Sequence, residues 1–184
     1  MKSEDRLRSD QDRLEAARDR FISEIAKNIH LYDLSPSTGR LYGTVFFSEE
    51  PMTLDEMSEQ MGMSKTSMST GIRSLVEASM VERVWERGIR KDLYKTEDDW
   101  YKSFSTVFIK RWRQATEMNL EAIRETEDQI RRIYLDTECD EIRGKVELDL
   151  DKLSHAREYY EWLNRVIALF ETGEIYDIVP TKEK

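Results

Sequence analysis

The sequence predicts a mainly α-helical chain with one small β-hairpin, and three observations carry that prediction. Long stretches at both ends repeat apolar residues at spacings of three and four, and only three prolines and seven glycines interrupt 184 residues. Between them, the segment from Pro51 to Lys95 holds two short amphipathic helices separated by a glycine turn. Two runs of β-branched and aromatic residues follow, joined by a basic tip that contains a glycine. That order of parts describes a winged helix-turn-helix with a small β-wing, flanked by long N- and C-terminal dimerisation helices. The expected divisions are an N-terminal helix over 1–33, the winged module over 34–97 and a C-terminal helical region over 98–184.

The N-terminal helix is expected between about Arg6 and Tyr32, with Leu14, Ala17, Phe21, Ile22, Ile25 and Ile29 on one face and Leu7 isolated in a charged opening turn. In the module, Thr53 and Glu56 stand three apart and form a capping box, which sets a helix start. Leu54, Met57 and Met61 form its inner stripe, and Asp55, Glu56, Glu59 and Gln60 point away. Gly62 suits a left-handed helix end, Met63 can return to the core, and Ser64 can cap the next helix, so a three-residue turn joins the two. The second helix is expected to bury Met68, Ile72, Leu75 and Val76 and to expose Lys65, Thr66, Ser67, Ser69, Thr70 and Arg73. Strands are expected over Val81 to Trp85 and Leu93 to Thr96, with Arg87, Arg90 and Lys91 around Gly88 at the tip. Beyond the wing, Trp100, Phe104, Val107, Phe108 and Trp112 begin an apolar series that runs towards Tyr134. A last helix is expected from about Leu150 to Phe170, striped by Leu153, Ala156, Tyr160, Leu163, Ile167 and Phe170.

Chemistry at the second helix points to duplex DNA. Short hydroxyl side chains let a helix enter a major groove and meet phosphates or base edges, and Lys65 and Arg73 supply charge. Serine and threonine are weak helix formers, so a merely solvated face would favour glutamate and lysine instead. From Ser64 to Lys95, seven cations oppose four acids, an excess of three positive charges on a chain whose net charge is −9. A focused positive patch on an acidic background fits docking through one face. The basic tip suits the phosphate backbone or the adjacent minor groove. Two readings compete with this one: a solvated helix and hairpin with incidental charges, and a winged helix that holds an acidic protein partner within a larger assembly.

The helical arms carry more apolar surface than a winged module of about 60 residues can cover. Pairing between two chains would bury it, and a symmetric dimer places two reading helices about 34 Å apart, one turn of DNA. An intramolecular bundle is the alternative. No stretch approaches the roughly 18 apolar residues of a membrane span, and the amino terminus lacks the apolar core of a signal peptide. Cys139 is the single cysteine, which excludes an internal disulfide and fits a reducing cytoplasm. Its neighbours Asp136, Glu138, Asp140 and Glu141 disfavour the thiolate that an oxidant sensor needs, and they lack ordered metal-ligand spacing. With His30 and His155 isolated and no glycine-rich phosphate loop, no catalytic set, metal site or cofactor site can be assembled.

Four blocks of residues add a resemblance. Gly39-Arg40-Leu41-Tyr42-Gly43-Thr44, Glu50-Pro51-Met52-Thr53-Leu54-Asp55-Glu56-Met57, Gly62-Met63-Ser64-Lys65 with Ser67-Met68-Ser69-Thr70-Gly71, and Gly88-Ile89-Arg90-Lys91 closely resemble the GbsR-type branch of the MarR-like transcriptional regulators. The likeness is specific between about Ile29 and Tyr101 and becomes general helical character on either side. It implies a dimeric winged-helix regulator, generally a repressor, with DNA contacts at Arg40, Ser64, Lys65, Thr66, Ser67, Ser69, Thr70, Arg73, Arg87, Arg90 and Lys91. It also implies an osmoprotectant connection, with choline held in an aromatic box. A quaternary ammonium offers no hydrogen-bond donor, so aromatic faces must hold it, and Tyr42, Tyr94, Trp100, Phe104 and Trp112 are the expected ligand-binding set. Trp100, Phe104 and Phe108 at spacing four are more often helix core than a ligand box.

Overall fold

The computed structural model describes residues 2–182; Met1, Glu183 and Lys184, at the ends of the expected terminal regions, lie outside the described residues. Two compact units divide the chain, Met1–Phe104 and Ser105–Lys184.

The first unit opens with α1, Lys2–Asn28, continued by a 3-10 turn over Ile29–Tyr32. Its expected apolar face is covered only towards the C-terminal end: Ile29 is buried and Ile22 and Ile25 are half-buried, whereas Leu14, Ala17 and Phe21 remain exposed, and Ala26, outside that face, is also buried. The buried end packs on α2, Pro36–Phe46, a helix that apolar periodicity did not reveal. Gly39 and Gly43 weaken its intrinsic propensity. Two start signals offset that weakness: Ser35 accepts from the Thr38 amide at 3.2 Å, and Pro36 occupies the first turn. Both glycines are needed because α1 lies so close. A Cβ on Gly39 would stand 2.8 Å from the Ala26 Cα, and one on Gly43 would stand 2.6 Å from Ile22 Cγ1.

The helix-turn-helix follows as expected. α3, Leu54–Met61, starts at the Thr53–Glu56 capping box and ends at Gly62, whose φ of 62° is left-handed. α4, Lys65–Glu77, is capped by Ser64, which accepts from the Ser67 amide at 3.2 Å. Met57, Met68, Ile72 and Leu75 are buried with Leu41, Tyr42 and Val45 of α2. Val76 departs from expectation and is 38 % exposed. The inward face of α4 centres on Met68, Ile72 and Leu75 and extends through Gly71 and Ala78, which leaves Val76 at the opposite margin.

The wing pairs β1, Val81–Val84, with β2, Leu93–Thr96, antiparallel, in the register Val81 to Thr96 and Val84 to Leu93. Met52 adds an isolated bridge at its base, exchanging backbone bonds of 2.8 and 2.9 Å with Tyr94. The wing base is thereby tied to the segment leading into α3. α5, Trp100–Asp136, then begins with Ser103 donating to the Ser79 carbonyl at the end of α4.

In the second unit α5 and α6, Asp140–Thr172, form an antiparallel hairpin, and a short α7, Ile175–Ile178, follows. Phe108 meets Phe170 at 4.5 Å, Arg113 reaches Asn164 and Glu171, Arg157 pairs with Glu127, and the Tyr134 hydroxyl donates to Glu147. α6 starts ten residues earlier than its apolar stripe suggested. Its opening turns hold only Val146 as a buried apolar residue, but Asp140 and Glu141 favour a helix N-terminus. Ile123, Val146, Leu163 and Ile167 are the buried apolar side chains here, while Met118, Ile133, Leu135, Leu148, Tyr159 and Trp162 stay exposed. Two helices have too few inward faces to cover these stripes.

Candidate nucleic-acid interface

Residues Thr66, Thr70 and Arg73 of α4 recur at spacings of four and three, opposite the buried Met68, Ile72 and Leu75, and all three are exposed. They form one outward stripe. Ser64 and Ser67 are exposed at its N-terminal end, where their hydroxyls lie 3.0 Å apart, and Ser69 is half-buried on its flank. Thr70 donates to the Thr66 carbonyl at 3.0 Å, which leaves its oxygen available as an acceptor. Beside this stripe a groove of about 330 Å³ is lined by Thr66, Ser67 and Thr70 of α4 and by Ser35, Ser37 and Thr38 from the start of α2. The α2 hydroxyls fall outside the expected site residues, because Gly39 and Gly43 blur the local signal of the helix that presents them. Arg40 is exposed on α2.

Paired and unpaired cations divide sharply. Lys65 and Lys91 both bind Asp55 of α3, Lys91 at 2.7 Å. Arg83 pairs with Asp92 across the wing, and Lys95 pairs with Glu82 at 3.0 Å. Within α4 and the wing, Arg73, Arg87 and Arg90 have no ion-pair partner among the described residues, so the open positive charge of these two elements is carried by these arginines. Gly88, at a φ of 94°, makes the turn that presents Arg87 and Arg90. Trp85 stands next to them and is 81 % exposed. The sequence predicts a first strand that runs through Trp85, but pairing ends one residue earlier, at Val84.

Of the five expected ligand-binding aromatics, two meet at one cavity of the first unit. Tyr42 and Trp100 come together, with ring centroids 6.1 Å apart and planes at 78°, and Trp100 lies 5.7 Å from Phe46. Both line a cavity of about 110 Å³ with Ile29, Tyr32, Met80 and Ser103. Tyr42 is 3 % exposed; burial pushes its hydroxyl up to about 12, and the neighbouring Tyr32 adds to that shift. Tyr94 is half-buried at the wing base, where its backbone bridges Met52. Phe104 is 48 % exposed on α5. Trp112 belongs to the second unit, 43 % exposed and 6.3 Å from Phe108. Cys139 is exposed just before α6, and no helix among the described residues is long and apolar enough to cross a membrane.

Comparison with known proteins agrees with this architecture. Residues 100–177 match the family model described as the GbsR family transcriptional regulator, C-terminal helical hairpin. The likeness therefore does not fade beyond Tyr101, as the motif blocks suggested, but continues through the hairpin. The chain is 38 % identical over 177 residues to the HTH-type transcriptional repressor OpcR of Bacillus subtilis, covering 94 % of each chain. It is 38 % identical over 172 residues to the HTH-type transcriptional repressor GbsR of the same organism, covering 93 % of this chain and 95 % of that one. A solved structure described as a transcriptional regulator is 19 % identical with a TM-score of 0.43, covering 82 % of this chain and 97 % of that one. Identity of this extent along nearly the whole chain, with the winged module and the hairpin both in place, makes it a DNA-binding transcriptional regulator rather than an enzyme, and it belongs to the GbsR family.

Proposed function

We propose that this chain is a cytoplasmic, dimeric repressor that reads operator DNA with α4 in the major groove and sets the wing tip on the neighbouring backbone or minor groove. The observation that carries the reading is the outward stripe of Thr66, Thr70 and Arg73, flanked by Arg87 and Arg90 with no acidic partner among the described residues. Hydroxyls and arginine at that spacing can meet base edges and phosphates, whereas the wing arginines neutralise phosphates without reading sequence. Arg40, Ser64, Ser67 and Ser69 complete the interface, and Lys65 and Lys91 lie at its edge, paired with Asp55. Dimerisation is supported by the exposed apolar side chains of α5 and α6, and two reading heads one helical turn apart would match a palindromic site. The named repressor relatives support the direction of control.

A small effector is the second part of the reading. The cavity beside Tyr42 and Trp100 has room for a molecule of a few heavy atoms, and its aromatic walls suit a quaternary ammonium such as choline. A ligand that prefers one of two arrangements of the winged module would shift DNA affinity by a coupling of about 1–3 kcal/mol.

The test is binding to duplexes selected from a genomic pool, repeated across salt concentrations. Arg90→Ala is expected to weaken binding to all sequences and to flatten the log-log salt slope by about 0.9, while Thr66→Ala changes preference among sequences. Equal affinity of the Arg90→Ala variant and the parent for every duplex would remove the wing from the interface. Salt-insensitive binding would point instead to a protein partner.

A further inference from the structure

Asp55 lies in the first turn of α3, yet its carboxylate is engaged by ammonium groups from two other elements. Lys65 Nζ binds Oδ1 and Lys91 Nζ binds Oδ2, the latter at 2.7 Å. Lys65 is the first residue of α4, and Lys91 belongs to the wing tip. Both lysine side chains are about two-thirds exposed, at 68 % and 65 %, so the cluster sits on the surface and not in the core. Its lysines hold the Asp55 carboxyl below the usual carboxylate range, Lys65 first and Lys91 second. Surface ion pairs of this exposure contribute little to stability, so a role in holding the fold together does not account for the arrangement. One oxygen for each ammonium is also what a DNA phosphate, with two free oxygens, would offer the same lysines.

Resting on the DNA-binding reading above, we propose that Asp55 is a specificity residue: its carboxylate occupies the phosphate position between Lys65 and Lys91 and so suppresses binding to unrelated DNA. Sequence-independent affinity grows with the number of phosphates neutralised. With two lysines occupied, Arg73, Arg87 and Arg90 supply the open charge, and the hydroxyl contacts of α4 carry a larger share of the discrimination. Weakening every wrong partner at some expense to the right one is a route to specificity.

The experiment uses the full-length protein, Asp55→Asn, and fluorescence anisotropy with two duplexes: a site recovered by genomic selection and an unrelated sequence of equal length. Asparagine keeps the size of the side chain and leaves the Thr53–Glu56 cap in place. The variant is expected to bind the unrelated duplex more tightly and to steepen the salt slope by up to about 1.8, two phosphates at about 0.9 each. Between 50 and 200 mM salt its affinity would then fall about 12-fold more than that of the parent. The ratio of operator to unrelated affinity should shrink. Removing both lysines in the Asp55→Asn background should return the slope to the parent value, while the same removal in the parent should move it little. Circular dichroism establishes that the variants are folded, and Asp55→Ser gives the same readout should asparagine disturb α3. A parent that binds with salt dependence while Asp55→Asn shows an unchanged or shallower slope would overturn this proposal alone, because Asp55 would then be orienting the lysines for phosphate. A parent that shows no salt-dependent binding to either duplex would overturn the DNA reading as well.

Discussion

Gly39→Ala tests the close approach of α1 and α2 on which the position of the whole module depends. In an isolated helix this change is favourable by about 1 kcal/mol, since alanine restricts the unfolded chain and glycine does not. Here the new Cβ would lie 2.8 Å from the Ala26 Cα and 3.0 Å from Ile29 Cγ2, against the 3.4–4 Å of an ordinary contact. The nearest atom is backbone, so no rotamer change relieves it, and α1 must retreat by about 0.6 Å. A gap of that size forfeits about a quarter of each dispersion contact along the interface, and overpacking of this type costs about 1–3 kcal/mol. Offset by propensity, the net effect is a destabilisation of about 1 kcal/mol. Gly144→Ala supplies the control, because nothing lies within 4 Å of the Cβ it would add to α6, and it should stabilise by about 1 kcal/mol. Urea unfolding followed by circular dichroism at 222 nm, at equal protein concentration because association shifts apparent stability, gives both numbers. If Gly39→Ala stabilises as much as Gly144→Ala, the helices are not in the tight contact described and the argument fails.

Three further outcomes are expected. Thr53→Ala should cost about 1 kcal/mol by opening the capping box, and the loss should shrink in acid. The Glu56 carboxyl is held below its usual range by the Thr53 backbone amide and then the Thr53 hydroxyl, so its contribution is present above about pH 4.3 and disappears as pH falls through the lowered folded value; unfolding curves of parent and variant between pH 3 and 7 check this. DNA should change tryptophan emission through the exposed Trp85, and Trp85→Phe should abolish that change, although Trp100, Trp112 and Trp162 remain as reporters of other changes. Tyr42→Ala is a poor probe of the cavity, since Tyr42 is 3 % exposed and its loss should destabilise by about 3–5 kcal/mol; Trp100→Phe is the milder change, and a choline-dependent emission signal that survives it unaltered would place the ligand elsewhere.

By itself the sequence determined what depends on neighbours within a few residues. The Thr53–Glu56 box, the left-handed Gly62, the Ser64 cap, the three-residue turn and the wing strands, correct to one residue, all follow from short-range hydrogen bonds and side-chain periodicity. The hydroxyl stripe of α4 was legible for the same reason, since its buried and exposed faces are set by helical spacing alone. Tertiary structure decided the rest. α2 was hidden because its glycines lower local propensity and become intelligible only where α1 meets them. The charge count of the module suggested that its cations act together, but folding brings the Asp55 carboxylate to Lys65 and Lys91 and leaves Arg73, Arg87 and Arg90 open. Likewise, aromatic spacing could not show that Tyr42 shares a cavity with Trp100 while Trp112 belongs to the other unit. Pairings between residues far apart in the chain leave no periodic trace, because each depends on how separately formed elements come to rest against one another.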